Sequence, residues 1–294
     1  MIGYRADKLY RDVTRARQLE LEVLLLKEQE VDLKKKVEEL EKAVKPKKRL
    51  FGLGKKEHDE YELSQAKSHY DIAVQDLSYV QESIQNKTNE MENLQGSKEA
   101  FAERFEKKLA EAKLSGLHKD KLMLLENAYL TSLKRKELLP ELNKKVWRFQ
   151  FELQNIILIL KQAVEAYSAS AASNSSMYSK YERIDKAKEE TENLKKMLEE
   201  LQPTLAEIGL NFDLQIDTEN FVSYAPEGNK SMWTDSRFLS LQVGERVKET
   251  LKEFEEKEVQ TDKFRKELLI MEKNALKVLY DNLNKLEEFV MFSI

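Results

Sequence analysis

Only three histidines stand beside 54 carboxylates in this chain of 294 residues, and cysteine is absent. Disulfides, thiolate metal sites and a cysteine nucleophile are therefore excluded. His58, Glu62, Gln65 and His69 fall on one helical stripe, but the two histidines are eleven residues apart. That is about three turns, too far to share one ion. The residues three before each histidine are Lys55, Ala66 and Ser115, so the Glu-x-x-His pairs of carboxylate-bridged bundles are missing. No nucleophile elbow or Ser/His/Asp spacing occurs. The carboxylates alternate with lysines at helical solvent positions, where i,i+4 ion pairing accounts for them. No catalytic residue, metal ligand, cofactor or small-molecule substrate is expected, and the chain reads as a non-enzyme.

The chemically distinctive stretch is KPKKRLFGLGKK, residues 45–56. Lys45, Lys47, Lys48, Arg49, Lys55 and Lys56 give it six cations and no acid, and Leu50, Phe51 and Leu53 give it apolar bulk. A phosphate loop is excluded: Arg49 stands where its first glycine belongs, Lys56 where its Ser or Thr belongs, and helical patterns flank it. Near an anionic membrane each such cation contributes about 1 kcal/mol, and an inserted Phe or Leu adds apolar burial. The same residues suit a soluble loop whose charges keep a hydrophobic turn in water, or a plug in which Leu50, Phe51 and Leu53 fold back on the helix ends. The nine side chains Lys45, Lys47, Lys48, Arg49, Leu50, Phe51, Leu53, Lys55 and Lys56 form the expected contact site.

Outside this run the charge is acidic, because the whole chain carries −4 and the run carries +6. A general polyanion-binding surface is not supported, and nucleic acid is a poor partner for so small a basic area. The N-terminus lacks the apolar core of a secretory signal. The longest apolar runs, Val23 to Leu26 and Ile156 to Leu160, fall far short of the roughly 18–20 residues that span a bilayer. A cytoplasmic location, or one peripheral to a membrane, is expected.

The elements that must position this run are long helices, since glycine and proline together occupy twelve positions and the chain has few places to turn. Leu9, Asp12, Ala16, Leu19, Val23, Leu26, Glu30, Leu33, Val37, Leu40 and Val44 alternate at three and four, which predicts a coiled-coil helix over 4–44. The rhythm resumes from Leu63 to Phe105, predicting a second helix over 57–113 with Gly96-Ser97 as a kink or short break. Folding symmetrically about 45–56 brings Asp12 level with Lys87. Extra leucines at 21, 24 and 25 predict a third helix packed near Val23.

Beyond 115 the richest seam is Leu142, Val146, Phe149, Leu153, Ile156, Leu160, Ala163 and Tyr167. With Phe151, Ile157, Leu158 and Ile159 it is apolar nearly all round, the pattern of a central helix. Pro140 either begins that helix or kinks a longer one. Ser168 to Ser176 suits a close helix contact, a loose helical stretch or a hinge, and a charged helix then runs toward Pro203. Leu210, Phe212, Leu214 and Ile216 alternate with polar residues and are followed by Phe221 to Tyr224, which predicts one β-hairpin near 209–225. Asp235 caps a last helix running to about Val290.

The expected fold is all-α, an elongated antiparallel coiled-coil hairpin plus a helical bundle with one small β-hairpin. The expected domains are 1–114, 115–202, 203–234 and 235–294. The function read from it is a scaffold or adaptor that presents the basic, hydrophobic tip to an anionic surface or an acidic partner and has protein partners, or self-associates, through its helices. The alternative is a membrane-active helical protein, a remodelling rod or a pore-forming component. A nucleic-acid-associated coiled coil ranks below both.

Overall fold

A computed structural model describes residues 2–44, 56–116, 118–169, 177–216 and 236–293. Among them the regular structure is entirely helical: α1 (Ile2–Val44), α2 (Lys56–Asn93), α3 (Gln95–Ser115), α4 (Lys119–Ala169), α5 (Met177–Glu207) and α6 (Ser236–Glu288), closed by a π-helical turn, Phe289–Ser293. The expected Asp235 cap lies outside the described residues. The break after α2 falls at Leu94, whose amide bonds the Met91 carbonyl at 3.1 Å. Gly96 instead sits within α3. Gly116 closes α3 in the left-handed conformation, φ 65°. Proline ends neither of the next two helices, as Pro140 lies inside α4 and Pro203 inside α5. Buried Leu139 and Leu142 flank Pro140, so core packing holds the helix where proline removes one of its hydrogen bonds.

The chain divides into two compact units, Met1–Glu126 with Tyr280–Ile294, and Asn127–Leu279. It crosses between them inside α4 and inside α6.

In the first unit α1 runs antiparallel to α2 and then α3. Val13, Ala16, Leu19 and Val23 are buried, and beyond Val23 the less exposed residues of α1 are Leu26, Glu30, Leu33, Val37, Leu40 and Val44. The six from Leu26 to Val44 are expected seam positions. The third helix at α1 is the end of α6, which meets α1 at Tyr10 and Arg17 to Glu20. Leu24 and Leu25 are exposed, contrary to the extra packing expected of them. Tyr10, Phe101 and Phe292 close this end, with ring centroids 5.9 and 5.4 Å from Tyr10.

In the second unit α4 is the centre. Its eight seam residues from Leu142 to Tyr167 are all buried, packed with Ile184, Leu194, Leu201 and Leu205 of α5 and Val247, Phe254 and Leu268 of α6. Phe151 and Leu158 are exposed, so α4 buries a stripe and not its whole circumference. α5 ends in a Schellman turn: the Leu210 amide bonds the Leu205 carbonyl at 2.9 Å, the Gly209 amide bonds the Ala206 carbonyl at 3.0 Å, and Gly209 has φ 67°.

The β-hairpin near 209–225 is corrected here for its described half, where 210–216 form no strand. The rest of it lies outside the described residues. The alternation is real, since Phe212, Leu214 and Ile216 are buried and Asn211, Asp213 and Gln215 exposed. The Phe212 carbonyl, however, accepts from the Gln202 side chain and the Leu214 amide, both at 3.0 Å. Phe212 stacks on Phe264 with centroids 4.3 Å apart. This segment is helix-core packing built from coil, and burial on one side produces period two without a ladder partner.

Candidate functional site

The α1–α2 arm owes its register to polar pairs across the seam. Arg15 donates to Glu90 at 2.9 Å, Gln81 to Glu30 at 3.0 Å and Ser97 to Asp12 at 2.9 Å, and Lys87 pairs with Glu22. Residue numbers across these pairs add to between 105 and 111. The expected Asp12–Lys87 pairing is therefore corrected by ten residues, about three turns. A symmetric fold about the basic run assumes equal arms, whereas α2 begins only twelve residues after α1 ends and its first two turns, by this register, run past Val44. Asp12, Glu30 and Lys87, which interrupt the seams, still find polar partners in Ser97, Gln81 and Glu22, as a charge in an apolar seam requires. The Arg15 guanidinium holds the Glu90 carboxyl below the usual carboxylate range, and Lys34 with Gln81 does the same for Glu30.

Of the nine predicted contact residues, Lys45, Lys47, Lys48, Arg49, Leu50, Phe51, Leu53 and Lys55 lie outside the described residues. Lys56 is the first residue of α2. The described geometry thus gives the two helices that end at the run, an arm whose burial from Leu26 to Val44 is confined to one seam.

Two further polar clusters escaped the sequence reading. In the first unit, Arg17 forks onto Glu287 with both contacts at 2.6 Å and also donates to Asn284 Oδ1 at 2.5 Å. The Tyr280 hydroxyl donates to Glu20, and the Arg17 guanidinium lies 5.8 Å from the Tyr280 ring centroid. In the second unit, Trp147 and Phe151 stack at 6.0 Å and are half-exposed beside Glu258, which accepts from Gln150 at 3.1 Å and Gln154 at 2.9 Å. These residues, with Asp262 and Arg265, line an open groove of about 480 Å³. Neither cluster joins a nucleophile to a base. Heptad position gave no signal for either, because Arg17 lies outside the seam and Trp147 and Phe151 read equally well as core.

No group of three or more histidine or acidic side chains suited to a metal ion occurs among the described residues, and no described helix is long and apolar enough to cross a membrane. Comparison with protein-family models, with curated proteins and with solved structures finds no match to this chain.

Proposed function

We propose that this chain is a non-enzymatic scaffold or adaptor. Its α1–α2 arm, an antiparallel coiled-coil hairpin, carries the run 45–56 as a contact site for an anionic surface. The observation that carries the reading is the burial pattern of α1: over its last five turns only the seam facing α2 is covered. Such an arm spaces and presents whatever it ends in, and it ends in six cations with Leu50, Phe51 and Leu53. Cations that contact phosphate or carboxylate groups, next to apolar groups that leave water, suit a lipid headgroup layer.

Sedimentation with phosphatidylserine-containing vesicles tests this. Wild type binds, and the variant with Lys47, Lys48, Arg49, Lys55 and Lys56 changed to Glu binds much more weakly. Equal binding by the two proteins, or none by either, removes the membrane reading. A pull-down with and without residues 45–56 then reads out an acidic protein partner.

A further inference from the structure

The first unit has a second end. The seam pairs Asp12 with Ser97 and Tyr10 with Phe101, after which α3 continues to Ser115 while α1 has only its first three turns left. The turn between α3 and α4 therefore lies at the end of this unit remote from Val44. Measured along the 43 residues of α1, about 65 Å separates this end from Val44.

The chemistry of this turn resembles that of the run. Leu114 is 89% exposed, the highest figure among the described large apolar side chains, and across the turn Leu124 and Met123 are 68% and 54% exposed. From Lys107 to Lys121 the sequence holds five lysines against two acids. Lys107, Lys113, Lys119 and Lys121 are exposed; Lys113 pairs with Glu126 at 2.6 Å, and Lys121 lies over the Phe289 ring at 4.5 Å. Gly116, left-handed with φ 65°, contributes no side chain of its own to the turn. Between the two helices is an open recess of about 310 Å³ lined by Ala112, Lys119, Leu122 and Met123.

An apolar side chain this exposed at a turn loses its contact with water only against a partner. The lysines around it select an anionic partner, and a layer that is anionic at its face and apolar a few ångströms below meets both requirements. We propose that the α3–α4 turn is a second contact site for an anionic lipid surface, so that this unit carries one at each end and bridges two such surfaces. The bridging rests on the reading of 45–56 given above; the turn as a lipid contact does not.

Vesicles of phosphatidylcholine and phosphatidylserine serve as the probe, with sedimentation for binding and light scattering for clustering. The turn variant Leu114→Glu, Lys119→Glu, Leu124→Glu changes exposed positions and leaves Lys121 on Phe289; circular dichroism checks its helicity. Wild type binds and clusters the vesicles. The turn variant and the five-site tip variant each still bind but cluster at least tenfold less, and the two sets combined abolish both. Clustering by the turn variant equal to wild type, or wild type that binds without clustering, overturns bridging while leaving the tip reading intact. Residual binding by the tip variant that persists after the turn is also changed overturns the turn as a lipid contact. A tip variant that binds and clusters like wild type removes the tip reading instead.

Discussion

Arg17 and Glu287 are 12% and 4% exposed at their side chains, so each is a charge largely removed from water and held by the other. Arg17→Met leaves the Glu287 carboxylate without its cation, and a buried pair broken in this way costs about 3 kcal/mol. Arg17→Met with Glu287→Leu removes both charges and is less destabilising than Arg17→Met alone, as urea unfolding of the three proteins reads out. Near this pair Tyr280 is held protonated well above its ordinary pKa of 10.0, first by burial and then by its hydrogen bond to Glu20 and that group's charge; Tyr10 is raised in the same direction, again first by burial. In the unfolded chain both hydroxyls ionise near pH 10, whereas the folded state keeps them neutral to higher pH. Their contribution is therefore fully present below about pH 10 and is lost as pH rises beyond it. The urea midpoint should hold steady to about pH 9 and then fall, and Tyr280→Phe should flatten that fall; an unchanged fall assigns it to other groups.

Among the elements, those with a strict period were legible from sequence and those fixed by a single neighbour were not. The α1 and α2 seams and the eight core positions of α4 follow from spacing alone, because apolar residues repeating every 3.5 positions can be covered by one partner. The register was hidden, since it depends on where each helix ends around residues 45–55. Trp147, Phe151 and Leu158 share the composition of a core stripe, and only the position of α6 decides that they face water. Residues 210–216 gave the right faces and the wrong element. They also give a test: Phe212→Ala, though in coil, should cost about 3–5 kcal/mol because a stacked core ring is lost, while Asn211→Ala and Asp213→Ala stay within about 0.5 kcal/mol. Comparable small effects at all three positions would mean that the segment is only loosely docked. For the arm, amides of residues 26–44 should exchange about tenfold or more faster than those of 142–160, since one seam protects less than a surrounded helix. Equal protection would reveal a partner lying along the arm.

At the scale of the molecule the function is carried by how charge is divided along the chain. Residues 45–56 hold +6 and residues 107–121 hold +3, so the remaining residues carry −13 within a total of −4. An anionic surface thus attracts two short segments and is repelled by the rest only in sum, and the balance depends on how far each interaction reaches. That reach is about 30 Å in 0.01 M salt, 10 Å in 0.1 M and 3 Å in 1 M. The nearest acidic charge is on α2 itself, where Glu57, Asp59, Glu60 and Glu62 follow the run directly and fall within about 9 Å of the helix start at 1.5 Å per residue, so they oppose an anionic surface at the run until screening shortens the reach below that distance, at about 0.1 M. A free peptide of residues 45–56 has no such remainder. On anionic vesicles its affinity should fall steadily from 0.01 to 1 M salt. The whole chain should fall less steeply than the peptide between 0.01 and 0.1 M, where screening also relieves its own repulsion, and in parallel with it above 0.1 M. Parallel curves over the whole range would mean that these carboxylates do not oppose binding and that residues 45–56 alone set the affinity.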